Sequence, residues 1–213
     1  MILGFFKSHY KKEANHHLHS QYKGFFLPCK FDDFDWFLFK VPLFMNYFDN
    51  KKSNIKSILE IGSYEVRSSI FFLNFFKNCK LYCVDTWLGS NEHGGIKMEK
   101  VESNFDYNIK SFSSDGIKNK MTSDEYFKKN TVSFDLIFID GLHYFDQVLK
   151  DAENAIKFLN QNGYILFDDY TYTGTGYKKG GNVLNAVNKI ISKYKDQFEV
   201  IYILEQVLLK KID

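Results

Sequence analysis

Arginine is almost missing from this chain. Of its 28 basic residues only Arg67 is an arginine, and the rest are lysines. Arginine is the usual bidentate reader of phosphates and guanines. The 26 acidic residues leave a net charge of only +2. Scarce arginine and balanced charge together argue against a partner bound by phosphate neutralisation, so no nucleic acid is expected. Long apolar runs are missing too. No stretch of about 18 uncharged apolar residues exists, so no membrane span or membrane partner is expected. The start, Met1 to Phe6, is too short for the apolar core of a signal peptide and runs into Lys, His and Glu. Cysteine is sparse: Cys29, Cys79 and Cys83 form no C-x-x-C pair. Reduced thiols in a cytoplasmic protein are the expectation. Two prolines, with 45% apolar residues, exclude a collagenous or disordered chain.

What is abundant is aromatic. Phe supplies 23 and Tyr 14 of the 213 residues. Together with plentiful Lys, Asn and Ile, this matches the coding bias of an AT-rich genome, so no function is read into it. The chain divides at about residue 50. Residues 1–50 form an N-terminal arm, with His9, His16, His17 and His19 close together, followed by an aromatic-rich stretch over 33–50. There Phe34, Trp36, Phe37, Phe39, Phe44, Tyr47 and Phe48 recur at helical spacings around Pro42. A bent helix, or two short ones, laid on the domain is expected. Left exposed, that stretch would offer a surface for a homodimer.

Residues 51–213 alternate strands and helices. Apolar runs at 57–61 (SILEI), 80–84 (KLYCV), 134–139 (FDLIFI) and 164–167 (YILF) read as buried strands, with a weaker strand at 116–121. Helices are expected over 67–76, 97–111, 123–129, 144–160 and 182–195, the fourth stopped by Asn162-Gly163. The runs 198–203 and 206–211, a turn apart, read as an antiparallel hairpin. The expected class is α/β with a mainly parallel sheet, made mixed by the hairpin.

Acids stand at the ends of these strands: Glu60, Asp85, Asp140, Asp168 and Asp169. Ligands of open parallel sheets bind at the carboxyl ends of the strands. Any one acid there could simply cap a helix; five together indicate a shared ligand site. Gly62 follows the first strand and Asp85 ends the second, 23 residues on. A glycine permits close backbone approach, and the acid can take both hydroxyls of a ribose. That pair indicates a nucleoside-containing cofactor. It does not indicate NAD, because residues 62–67 read G-S-Y-E-V-R and lack the G-x-G-x-x-G pattern. Asp140 and the Asp168-Asp169 pair end strands expected to be neighbours. Carboxylates that converge repel one another. A divalent cation removes the conflict, and an all-oxygen set suits Mg²⁺ or Mn²⁺.

The segments ILEIGSYEVRSSIFFL, LYCVDTWLGSNEH, FDLIFIDGLHYFDQVLKDAENAIKFL and GYILFDDY, in this order, resemble class I S-adenosylmethionine-dependent methyltransferases. The nearest group is the small-molecule O-methyltransferases that include the macrocin and aminocoumarin-sugar enzymes, and the likeness covers residues 34–170. It implies a Rossmann-like seven-stranded mixed sheet flanked by helices. It implies that Glu60, Gly62 and Ser63 line the methionine part of S-adenosylmethionine. Asp85 would then bind its ribose, Thr86 and Trp87 would flank the adenosine, and Asp140, Asp168 and Asp169 would match the metal ligands of metal-dependent members. Two positions depart from the pattern. Val66 replaces a usual glycine, and Leu142 stands where some sugar-methylating members carry a carboxylate proposed as general base. His143 is the nearest replacement base, with His93 a second candidate.

The expected function is therefore transfer of a methyl group to a hydroxyl of a small polyhydroxy substrate, such as a sugar or glycosylated metabolite, with Mg²⁺ or Mn²⁺ orienting it. Asp140 and His143 are the expected catalytic residues. Two alternatives stand beside this reading: a metal-free O- or N-methyltransferase with a histidine base, and a non-catalytic cofactor-binding scaffold. The loop 171–181, with four glycines and Lys178-Lys179, is expected to meet the substrate.

Overall fold

The computed structural model describes residues 23–31, 35–90, 93–112, 114–172 and 182–212. The N-terminal histidines, Phe34, and the glycine-rich loop with Lys178 and Lys179 lie outside the described residues. Seven strands form one sheet: β1 (Ser57–Ile61), β2 (Lys80–Asp85), β3 (Gly116–Lys120), β4 (Phe134–Ile139), β5 (Leu159–Phe167), β6 (Phe198–Ile203) and β7 (Val207–Lys211). Their order is β3-β2-β1-β4-β5-β7-β6. The first five run parallel, while β7 is antiparallel to both β5 and β6. The mixed sheet expected from the sequence is thus present, with the closing hairpin at one edge.

Helices cover both faces. On one lie α1 (Val41–Phe48), α2 (Arg67–Phe75) and α3 (Met98–Ile109). On the other lie α4 (Ser123–Lys129), α5 (Phe145–Phe158) and α6 (Asn182–Lys193). Two apolar clusters follow from this, one on each face of the sheet. The central strands read as continuous apolar runs because both of their faces are buried. In β1, for example, Ile58 and Leu59 are fully buried and belong to opposite clusters.

The aromatic stretch is helical and laid on the domain, as expected. A 3₁₀ turn (Leu38–Lys40) leads into α1. Pro42 lies in the first helical turn, where its missing N–H would have no partner in any case. Asp35 Oδ1 accepts the backbone N–H groups of Phe37 (3.0 Å) and Leu38 (2.9 Å) and so starts the turn. Phe37, Phe44 and Phe48 are buried against α2 and the sheet. Phe48 alone has the rings of Phe44, Phe76 and Tyr164 at centroid distances of 4.6, 5.6 and 4.8 Å. Truncating such a ring costs roughly 3–5 kcal/mol. Phe37, Phe44 and Phe48 are core and add nothing to the surface suggested for a homodimer, while Trp36 and Leu43 of the same stretch are exposed. Arg67 gains a role here. It pairs with Asp35 at 3.6 Å and lies over the Phe31 ring at 4.0 Å, fastening the N-terminal segment to α2.

One boundary moves. Helix α5 ends at Phe158 and β5 starts at Leu159, not after Gly163. Asn162 has φ 60°, and the β4–β5 register shifts between Phe134 and Leu136. The Asn-Gly pair makes an irregularity inside the strand instead of a helix stop. Cys29, Cys79 and Cys83 are free thiols. Among the described residues no helix is long and apolar enough to cross a membrane.

Candidate active site

Strand β1 is flanked by β2 on one side and β4 on the other. The chain therefore reverses its winding direction at β1, and a crevice opens beyond the strand's carboxyl end. A cavity of about 850 Å³ occupies that place. Its walls carry residues from the exits of all five parallel strands and from the N-terminal segment.

The loop after β1 and the loop after β2 are locked together by one carboxylate. Asp85 Oδ2 accepts the N–H of Tyr64 at 3.0 Å, and Oδ1 accepts the N–H of Trp87 at 2.7 Å. Each oxygen keeps a further lone pair, and Asp85 lies on the cavity wall with Gly62, Ser63 and Thr86. Gly62 has φ +88°, and a Cβ there would meet Asp140 O at 2.1 Å. The glycine is required first by the neighbouring β4 exit. Val66, in place of the usual glycine, keeps the glycine-like conformation at φ +72° and is fully buried at the start of α2. A β-branched residue is held in a left-handed turn.

Two residues assigned to the cofactor lie elsewhere. Glu60 is fully buried beneath the cavity: Ser68 Oγ donates to Oε1 at 2.5 Å and Ser69 Oγ donates to Oε2. Burial pushes its carboxyl above the usual range, against the pull of the serines. Trp87, 3% exposed, packs on Phe105 with centroids 4.6 Å apart and donates Nε1–H to Tyr64 O at 3.0 Å. It supports the loop from below. The ring at the cavity wall on this side is Tyr64, with His93 stacked on it at 5.3 Å. His93 Nδ1 accepts the N–H of Ser90 at 3.0 Å, which ties that nitrogen to its own loop.

A polar corner next to Asp85 was not foreseen. Met121, Ser123, Asp124, Gln147 and Asp151 line it. A capping box places it: Thr122 and Glu125 exchange hydrogen bonds at the start of α4. Gln147 Nε2 donates to Asp151 Oδ1 at 3.0 Å and to Ser123 Oγ at 3.2 Å. Burial pushes Asp151 up to about 6, against these hydrogen bonds. The S/T-x-x-E pattern at 122–125 was the available signal.

The opposite end gathers charge. Asp140, Asp168, Asp169 and His143 all line the cavity. His143 Nε2 lies 3.7 Å from Asp140 Oδ1 and 3.6 Å from Asp169 Oδ2. Sequence reading missed the fifth member. Lys40 Nζ donates to Asp168 Oδ1 and to Asp169 Oδ1, each at 2.7 Å. Burial opposes the charge on Lys40, but Asp168, Asp169 and Asp140 together outweigh it and hold the ammonium above the ordinary lysine value. Asp140 is held above the usual carboxylate range by burial and then by the repulsion of Asp168; His143 pulls it back.

The metal set expected from the sequence does not fit. Asp168 Oδ1 accepts from Lys40 and also from the N–H of Asp169 at 2.8 Å, so the ammonium stands where an ion shared by Asp168 and Asp169 would. Asp140, His143 and Asp169 each offer one atom within 4.8 Å of the others. That set is two carboxylates and an imidazole, not the all-oxygen triad of aspartates.

Comparison with known proteins decides the family. The family model described as "Methyltransferase domain" matches residues 59–170. The chain belongs to this methyltransferase family. Protein R132 of Acanthamoeba polyphaga mimivirus is 30% identical over 152 residues, covering 67% of this chain and 65% of that protein. The chain thus spans 65% of the length of that relative. Solved structures share the fold. The O-methyltransferase TomG from Streptomyces achromogenes, in complex with SAM, is 12% identical with TM-score 0.60, covering 94% of this chain and 90% of that one. An O-methyltransferase from Bacillus cereus in complex with SAH is 11% identical with TM-score 0.60, covering 95% and 90%.

In this methyltransferase chain, Gly62, Ser63, Asp85, Thr86, Asp140, His143, Asp168 and Asp169 line one cavity. Glu60 and Trp87 stand behind it. Lys40, Tyr64, Asp124, Gln147 and Asp151 are added by the fold. Lys40 lies outside the matched stretch, on the segment whose aromatics are core.

Proposed function

We propose that this chain transfers a methyl group from S-adenosylmethionine to a hydroxyl of a small polyhydroxy acceptor. The observation that carries the reading is a single cavity with Asp85 at one end and His143, Asp140 and Asp169 at the other. Its volume is that of a small-molecule site. Asp85 can accept both ribose hydroxyls with its remaining lone pairs, and Asp124 and Ser123 offer hydrogen bonds to a base beside it. When bound, the cofactor supplies a sulfonium methyl; the carbon–sulfur pair leaves with sulfur as the carbon–oxygen bond forms.

The chain's own residues then have two tasks. The first is alignment, for which well-oriented neighbours gain effective molarities on the order of 10⁵ to 10⁸ M. The second is to take the hydroxyl proton. His143 Nε2 is the receiving atom, because it stands at the acceptor end between Asp140 and Asp169. Asp140 and Asp169 flank it and stabilise the imidazolium that forms. On the acceptor side Trp36, Phe39, Leu142 and Tyr172 add an apolar wall. A sugar ring, with one C–H face and several hydroxyls, matches such a wall beside carboxylates. The reading in which Mg²⁺ orients the acceptor through Asp168 loses support from Lys40; the histidine-base reading gains it.

Thermal unfolding with S-adenosylhomocysteine tests the cofactor. At 100 times its Kd a ligand adds about 2.7 kcal/mol to stability. No shift at millimolar ligand would leave the scaffold reading. With a shift, labelled methyl transfer to a panel of sugars and glycosides is expected to fall about 100-fold or more in His143→Ala.

A further inference from the structure

We propose that Lys40 is the resident cation of the acidic end of the cavity and that this chain works there without a divalent metal. Three observations support it. First, the ammonium makes two short contacts, to Asp168 Oδ1 and Asp169 Oδ1 at 2.7 Å each, and its side chain is only 5% exposed. This is a buried group enclosed by acids, not a surface lysine that happens to reach one. Second, its backbone is fixed. Lys40 joins the 3₁₀ turn to α1, its N–H donates to Phe37 O at 3.0 Å, and Leu38 and Val41 on either side are buried in the core. The segment that carries Lys40 is thus anchored in the core beside the acids. Third, the acids are divided among partners from the chain itself. Lys40 serves Asp168 and one oxygen of Asp169. His143 faces Asp140 and the other oxygen of Asp169.

A divalent ion binding Asp168 and Asp169 would have to take the ammonium's place. An ion bound to Asp140, His143 and Asp169 instead would share Asp169 with Lys40 and be repelled by it at short range. Removing one partner of a buried charge pair leaves the other uncompensated, so the vacancy left by Lys40→Ala becomes a place that attracts a cation. The role of Lys40 is positioning: it holds Asp169 so that Oδ2 faces His143. The inference rests on the methyl-transfer reading only for the location of the acceptor. Metal binding is read directly, so its failure is separate from a failure to bind S-adenosylhomocysteine.

The test is calorimetric titration of the full chain with MnCl₂ and with MgCl₂. The wild type is expected to show no saturable binding at millimolar ion, and Lys40→Ala to bind Mn²⁺ saturably with a Kd at least about tenfold below that concentration. If Lys40→Ala does not fold in EDTA, millimolar Mn²⁺ is expected to restore its melting transition. Saturable Mn²⁺ binding to wild type that is lost in Asp169→Asn would overturn the inference. So would a folded Lys40→Ala that binds no ion, or an unfolded one that Mn²⁺ does not rescue.

Discussion

The two ends of the cavity are held in place by different means. At the Asp85 end, neighbouring strand exits are tied by backbone N–H groups donating to one carboxylate, and every participant lies within a short stretch of chain. At the Asp140 end, Asp168 and Asp169 are held by Lys40, which is 128 residues before Asp168 and arrives on a separate segment. One end is a product of local turn geometry. The other exists only once the whole domain has packed. The difference explains why Lys40 carries no local motif: its partners meet it only in the packed domain.

The sharpest way to break this contrast is at the residue where the ends meet. Gly62 joins the β1 exit to the β4 exit, and Ala there combines a positive φ with a backbone overlap. Gly62→Ala is expected to destabilise by about 3 kcal/mol, read from urea unfolding. A loss below about 1 kcal/mol would mean that the two exits are not in close contact.

A smaller effect separates local geometry from charge. Asp151 belongs to the corner beside Asp85 and titrates at about 6 in the fold, against about 3.9 for an unfolded aspartate. A raised folded value means that ionisation disfavours the fold. The cost is absent below pH about 4, builds as pH rises through about 6, and is complete above it. Asp151→Asn is therefore expected to stabilise the ligand-free chain by up to about 2 kcal/mol at pH 7 and not at pH 4. Equal effects at both pH values would contradict this.

The smallest effect concerns Val66. Its left-handed backbone costs about 1–2 kcal/mol, while burial of its side chain contributes about 1.5–3 kcal/mol. Val66→Gly exchanges one for the other, so its unfolding free energy is expected to stay within about 1 kcal/mol of wild type. A gain well beyond that would show that the turn is strained without compensation.

Much of the fold was legible because parallel strands are buried on both faces and stand out as apolar runs. The strand ends followed, and with them Asp85, Asp140, Asp168 and Asp169. Which way each side chain leaves its strand did not follow as easily. Successive residues of a strand face opposite sides. Glu60 shares the α2 face with Ile58 and is taken up by Ser68 and Ser69, not by the cavity. Trp87, at φ 49°, turns inward after β2. Lys40 was out of reach for another reason. One lysine among many in an aromatic stretch carries no local mark of its partners, and only the packing of Phe37, Phe44 and Phe48 delivers it. Converging acids call for a cation, and Lys40 supplies one at Asp168 and Asp169.

The central claim is that one cavity binds the cofactor at the Asp85 end and activates the acceptor at the other. Calorimetric titration of S-adenosylhomocysteine into wild type, Asp85→Ala and His143→Ala tests it most directly. Lost hydrogen bonds to a charged group cost about 1.5–3 kcal/mol. Asp85→Ala should therefore weaken binding at least about tenfold, while His143→Ala stays within about threefold of wild type. No binding to wild type, or equal losses in both variants, would contradict the account.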